Sequence, residues 1–269
     1  MKVLIDDTCY HVELCGEGFP LLLLHGFTGD ASTWTPFCGQ WGQHSKLIMP
    51  DIIGHGQTGS PNGISKFKIE AAATDLKTIL EKLELDKVDV LGYSMGGRLA
   101  LTFAILFPDM VRKLVLESAS PGLETEKERN DRRIKDAELA NLIKEKGIES
   151  FIDYWESIPL FSTMKELPLE TRMEIRRQRL RNSHDGLANS LNGMGTGSQP
   201  SWWRELGEIN SPVLLLSGDQ DEKFCGIAKR MTEKIKNAKW TVIRDSGHAI
   251  HVEKKEKFGT IVSDFLKNT

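Results

Sequence analysis

The sequence predicts an α/β fold: a mostly parallel sheet with helices on both faces and a helical cap inserted before the last strands. Three observations carry this reading. Short apolar runs alternate with segments of helical periodicity from Leu21 to Glu117, and again from Val213 onward, a pattern that builds βαβ units. Between Pro121-Gly122 and about Arg204 the alternation stops, and the composition turns helical and rich in Arg, Lys and Glu. Finally, Gly92-x-Ser94-x-Gly96 lies where an apolar run ends and an apolar-periodic segment begins.

Taken in order, Val3–Ile5 and Tyr10–Leu14 read as two strands of a hairpin joined through Asp6-Asp7. Leu21–Leu24 is continuous and apolar, as a parallel strand buried on both faces should be. A helix is expected over Trp34–Gln43 and a strand over Lys46–Met49, broken by Pro50. Ala73, Leu76, Ile79, Leu80 and Leu83 set the period of a helix over Glu70–Leu83. Val88–Leu91 is a strand, the helix after Gly96 runs to Phe107, and Lys113–Glu117 is a strand. After the helical insertion come a strand at Val213–Leu216, a helix at Phe224–Lys236, a strand at Trp240–Ile243 and a closing helix at Lys257–Leu266. The core therefore spans 1–121 and 205–269, and the cap spans 122–204. Both connections of the cap leave one sheet, so it should lie over the carboxyl ends of the strands, where open α/β sheets bind ligands.

Bulk properties narrow the function. With 269 residues the chain can bury a large core. A net charge of −3 offers no strongly basic face for nucleic acid. No run reaches the roughly eighteen apolar residues of a membrane span, and the acids of Met1-Lys-Val-Leu-Ile-Asp-Asp oppose a signal peptide. Cys9, Cys15, Cys38 and Cys225 are scattered with no CxxC pair, which points to reduced thiols, no disulfide framework and a cytoplasmic protein. No His or Cys cluster has metal-ligand spacing, so neither a metal nor another cofactor is expected. The oligomeric state is not legible; a monomer is favoured.

The glycines around Ser94 have a physical purpose. A serine on a sharp strand-to-helix turn needs neighbours without Cβ where the chain crowds itself, and the turn presents its hydroxyl at the carboxyl edge of the sheet. A serine hydroxyl becomes reactive only when a histidine takes its proton. Two later loops supply partners: Gly218-Asp-Gln-Asp221 after one strand and Asp245-Ser-Gly-His248 after the last. Serine, acid, histidine is the chain order of the α/β-hydrolase fold. Asp221 is the expected orienting acid, with Asp219 capping the turn. Two backbone N–H groups, of Met95 and of Phe27 in His25-Gly-Phe, should form an oxyanion hole. His25 and His55 are expected to hold loops by hydrogen bonds; His11, His44, His184 and His251 read as solvated or structural.

Particular motifs go further: His25-Gly-Phe-Thr-Gly-Asp30, Gly92-Tyr-Ser-Met-Gly-Gly-Arg98, Glu117 with Pro121-Gly-Leu123, Gly218-Asp-Gln-Asp-Glu-Lys-Phe224 and Gly247-His248. Through these the whole chain resembles the α/β-hydrolases, and more narrowly the 2-succinyl-6-hydroxy-2,4-cyclohexadiene-1-carboxylate synthases of menaquinone biosynthesis. The resemblance implies a lyase that abstracts a proton from a succinyl-bearing, enolpyruvyl-bearing cyclohexene and eliminates pyruvate. It implies substrate binding by Tyr93, Arg98, Arg132, Trp155 and Arg181. The cap's own chemistry agrees, since its many arginines suit a small polycarboxylate, which guanidinium forks bind bidentately. For Arg129, Arg133, Arg172, Arg176 and Arg177, a solvated helix face paired with nearby acids is the simpler reading.

Two other classes fit the same residues. One is a hydrolase, an esterase or a carbon–carbon bond hydrolase on an acidic substrate; the other is a ligand receptor that keeps the scaffold without turnover. Epoxide hydrolases and dehalogenases are disfavoured because position 94 is Ser rather than Asp.

Overall fold

Strands β1 (Lys2–Ile5), β2 (Thr8–Cys15), β3 (Phe19–Leu24), β4 (Ser45–Pro50), β5 (Val88–Tyr93), β6 (Val111–Glu117), β7 (Val213–Gly218) and β8 (Ala238–Ile243) form one sheet in the order β1-β2-β4-β3-β5-β6-β7-β8. This is a computed structural model, and it describes residues 1–267; residues 268 and 269 of the expected core span lie outside the described residues. β1 and β2 pair antiparallel, as do β2 and β4, and every pairing from β4 through β8 is parallel.

The leucine run of β3 shows why a doubly covered strand is apolar throughout. Leu22 and Leu24 enter one core with Leu76, Ile79, Leu99 and Phe103, from α2 (Ile69–Lys82) and α3 (Met95–Leu106). Leu21 and Leu23 enter the opposite core with Trp34, Phe37, Trp41 and Phe258. Successive side chains of a strand point to opposite faces, so helices on both faces demand apolar residues at every position.

The segment before β4 departs from the sequence reading. In place of one helix over Trp34–Gln43, the chain makes 3-10 turns at Ala31–Thr33 and Thr35–Phe37 and a single short helix, α1 (Cys38–Trp41). Pro36 lacks an N–H, and Gly39 and Gly42 weaken what could follow. The cysteine reading also needs correction: Cys15 and Cys38 are joined by a disulfide, while Cys9 and Cys225 are free. The partners are 23 residues apart in sequence. They meet because β2 pairs with β4 and α1 leads into β4, a proximity that spacing alone does not reveal.

Between β6 and β7 there is no strand among the described residues. This insertion comprises α4 (Glu126–Ser157), broken at Gly147 where φ is +80°, a 3-10 segment Pro159–Glu166, α5 (Leu169–Leu180) and α6 (His184–Met194). Thr125 and Glu128 form a reciprocal capping box that starts α4. The insertion has a small core of its own, Ala140, Ile143, Phe151, Ile152, Leu187 and Leu191, between α4 and α6. After β7 come α7 (Glu222–Thr232), then α8 (Ile250–Glu253) and α9 (Lys255–Lys267) after β8. No helix among the described residues is long and apolar enough to cross a membrane.

Candidate active site

Ser94 follows β5 and starts α3 with φ +51° and ψ −106°, a conformation that side chains other than glycine rarely adopt. The glycines make it possible by close approach. A Cβ on Gly92 would lie 2.2 Å from the Gly96 carbonyl oxygen, and one on Gly96 would lie 2.2 Å from the Leu24 carbonyl oxygen. The elbow is thus pressed against the end of β3, whose next residues are the His25-Gly-Phe loop.

His248 comes over the sheet from the loop after β8 and is 1% exposed. Its Nδ1 donates to Asp221 Oδ2 at 2.7 Å, which leaves Nε2 to accept from the Ser94 hydroxyl at 2.9 Å. Asp221 also caps α7, its other oxygen accepting from Phe224 N–H at 3.3 Å. Asp219 turns away from the histidine and accepts from Ser246 N–H at 3.3 Å, so its bond joins two loops instead of closing its own turn. The imidazole is packed between aromatic rings, with Phe224 at 4.6 Å, Tyr93 at 5.4 Å and Phe161 of the insertion at 6.0 Å.

These groups open onto a cavity of about 470 Å³ beneath the insertion. Of the residues singled out in the sequence, Phe27, Tyr93, Ser94, Met95, Arg98, Arg132, Trp155 and His248 all line it, with Asp221 behind the imidazole. Arg98 Nη1 donates to the Met194 carbonyl at 2.7 Å and also to Gln199 Oε1. Burial, and then the neighbouring Arg132 charge, push the Arg98 pKa down to about 10. Arg132 is held by Asp136 through a 2.8 Å bond from Nε. Lys223, from the first turn of α7, lines the same cavity, and burial followed by Arg132 lowers its pKa as well. Several cations that repel one another in one partly desolvated cavity form a site that a carboxylate would relieve.

Arg181 is not brought to this cavity. It follows α5, its side chain is 59% exposed, and its Nη2 donates to Asp30 Oδ2 at 2.8 Å. It lines a neighbouring cavity of about 800 Å³, beyond the shared walls of Phe27, Tyr93 and Phe161. Arg129 and Arg133 pair with Glu126, and Arg176 pairs with Asp153 and Glu156.

His25 holds loops as expected: it is fully buried, donates from Nδ1 to the Gly26 carbonyl at 2.8 Å and accepts from Ile52 N–H at 3.0 Å. Burial lowers its pKa, which keeps the imidazole neutral for that dual role. His251 is buried too, its Nδ1 donating to Glu117 at 2.9 Å beneath the Tyr93 ring. Phe161 and Arg179 belong to the cap's aromatic and arginine composition, but sequence reasoning gave them no individual role, and it missed Glu253. Arg179 is buried with its guanidinium 5.1 Å from the Phe161 ring. Glu253, an acid in the first turn of α8, accepts from the N–H groups on both sides of His248. An acid four to six residues after the N–H groups it accepts from, and a cation packed on an aromatic ring, both depend on how the chain turns and leave no signal in the sequence.

Fold and site together define an α/β-hydrolase. The sequence profile of the alpha/beta hydrolase fold matches residues 20–255, and the chain belongs to that family. Within it, the chain belongs with the 2-succinyl-6-hydroxy-2,4-cyclohexadiene-1-carboxylate synthases. It is 46% identical over 91% of its length to a Bacillus subtilis protein described as a putative synthase of that name, covering 89% of that protein. It is 31% identical to the Photorhabdus laumondii synthase, over 91% of this chain and 84% of the other. Among solved structures, MenH from S. aureus superposes with a TM-score of 0.92 at 38% identity, covering 96% of this chain and 98% of that one.

Proposed function

We propose that this protein is a 2-succinyl-6-hydroxy-2,4-cyclohexadiene-1-carboxylate synthase acting in the cytoplasm on a small polycarboxylate. The reaction removes a ring proton from 2-succinyl-5-enolpyruvyl-6-hydroxy-3-cyclohexene-1-carboxylate and expels pyruvate. The similarity to synthases of this name supports the reaction. The observation that carries the site is the placement of Arg98, Arg132 and Lys223 around the cavity that holds Ser94.

In this reading Ser94, His248 and Asp221 act as a proton relay. His248, oriented by Asp221, accepts the Ser94 proton as the serine oxygen takes the proton from the ring carbon. The electron pair left on C2 forms a C2=C3 double bond, the existing C3=C4 double bond shifts to C4=C5, and the bond from C5 to the enolpyruvyl oxygen breaks. The departing enolate recovers a proton and becomes pyruvate, so the elimination is redox-neutral and requires no cofactor. Negative charge spreading into the succinyl carbonyl is met by the N–H groups of Phe27 and Met95; one such donor is typically worth on the order of 2.7–4 kcal/mol at a transition state. Residues 122–204 act as the cap that closes over the substrate. Arg98 and Arg132 hold carboxylates, with Tyr93 and Trp155 as aromatic walls. Arg181 contributes only charge at the rim, because its guanidinium already pairs with Asp30.

The test is pyruvate release from the enolpyruvyl substrate by wild type and by Ser94→Ala. Wild type should release it, and the variant should lose turnover by several powers of ten. Wild-type protein that leaves this substrate intact while cleaving acyl esters would be a hydrolase instead.

A further inference from the structure

Ser94 has a counterpart on the next strand. Tyr93 and Glu117 are register partners in the parallel pair β5–β6, so Ser94 and Ser118 are each the first residue beyond neighbouring strand ends. Their backbones are tied to the sheet in the same way: Ser94 N–H donates to the Glu117 carbonyl and Ser118 N–H to the Leu216 carbonyl, each at 2.9 Å. Both have left-handed backbones, with φ +51° at Ser94 and +47° at Ser118. Both line the cavity that contains Arg98 and His248.

The Ser94 conformation belongs to its elbow. At Ser118 a glycine would adopt the same φ at no steric cost, and the serine Cβ is the strained choice. The hydroxyl does not offset that strain within the protein. Ser118 is 1% exposed, and its Oγ is buried with no hydrogen-bond partner among the described residues. Ser120, two residues on and lining the same cavity, differs in that its Oγ accepts from Gly122 N–H. A buried hydroxyl without a partner costs stability unless something else supplies one, and strained residues cluster where the strain serves a ligand. Parallel strands lie about 4.8 Å apart, which puts Ser118 one strand spacing from the reacting serine.

We propose that Ser118 is a substrate-contacting residue whose hydroxyl donates to a carboxylate or carbonyl oxygen of the substrate beside Ser94. The inference deepens the proposed function and rests on it for the identity of the substrate, but not for the existence of an oxygen-rich ligand in the cavity. Its signature separates it from a merely structural serine. A ligand contact at a strained position trades stability against function, so removing it should harm function without harming the fold.

The experiment compares Ser118→Gly and Ser118→Ala with wild type by thermal unfolding and by steady-state pyruvate release. It also measures binding of a succinyl-bearing aromatic dicarboxylate, a product mimic, followed by tryptophan fluorescence. Both variants should lose at least tenfold in kcat/KM and bind the mimic at least fivefold more weakly, and Ser118→Gly should melt at or above the wild-type temperature. If both variants match wild type in kinetics and binding, or if Ser118→Gly restores what Ser118→Ala loses, the hydroxyl has no such role. If wild type binds the mimic but releases no pyruvate, the proposed reaction fails; the binding comparison still decides the Ser118 contact.

Discussion

Glu253 brackets His248: its carboxylate accepts from Gly247 N–H at 2.8 Å through one oxygen and from Ala249 N–H at 3.2 Å through the other. The residues on either side of the imidazole are thereby pinned by one side chain, the last residue of the single-turn helix α8. From the opposite side, Glu117 accepts from His251 N–H at 3.0 Å, so two carboxylates hold the segment that presents the histidine. A hydrogen bond of 2.9 Å between His248 and Ser94 needs its backbone held to within a fraction of an ångström, and the acids provide that restraint.

Replacing Glu253 should therefore affect turnover more than binding. Glu253→Ala leaves two N–H groups without their acceptor, which costs roughly 1–3 kcal/mol for each buried donor, and should lower Tm and cut kcat at least tenfold with KM changed less. Glu253→Gln keeps one acceptor oxygen and should recover part of the loss. Pyruvate-release kinetics with a parallel melting curve check this; equal kcat in Glu253→Ala and wild type would remove the residue from any positioning role.

Arg98 makes both of its bonds to Met194 and Gln199 through Nη1. Lysine keeps a charge there but loses the planar fork that matches a carboxylate. Arg98→Lys should lower kcat/KM by tenfold or more, mainly through KM. Near-wild-type kinetics in this variant would show that Arg98 does not hold substrate.

His55 sets an acid limit on stability. Burial, followed by the proximity of His25, lowers its pKa to about 3, whereas an unfolded histidine titrates near 6.5. Between these values the unfolded chain binds a proton that the folded chain refuses. Stability is thus complete above about 6.5 and falls as pH drops toward 3, by as much as about 1.4 kcal/mol per pH unit. Asp30 raises the pKa of both His25 and His55, and Asp51 raises that of His25, without reversing either shift. Burial pushes the Asp30 carboxyl up, but its bonds from Ser32, Arg181 and Gln178 bring its pKa below the ordinary value, so its protonation adds a loss of stability at still lower pH. Urea midpoints of wild type and His55→Asn from pH 4 to 7 test this. The wild type should lose stability more steeply toward low pH, and parallel curves would contradict the assignment.

Much of this protein is determined by sequence through short-range sterics. The leucines of β3 are apolar at every position because helices cover both faces, and Gly92 and Gly96 are glycines because carbonyl oxygens occupy the space where a Cβ would sit. Ser94, Asp221 and His248 could be read because each follows a recognisable strand, and strand ends on one edge of a parallel sheet converge. Other features were decided by contacts between distant segments. Arg181 looks on paper like any other cap arginine, yet Asp30, 151 residues away, takes its guanidinium. Cys15 finds Cys38 only because β2 and β4 pair. Glu253 reaches the backbone around His248 only once α8 has turned back on its own loop, and the left-handed backbone of Ser118, where β6 ends beside β5, carries no mark in the sequence. A sequence displays its periodicities and its backbone demands, while the partner of a long polar side chain depends on where the folded chain brings distant groups within hydrogen-bond reach.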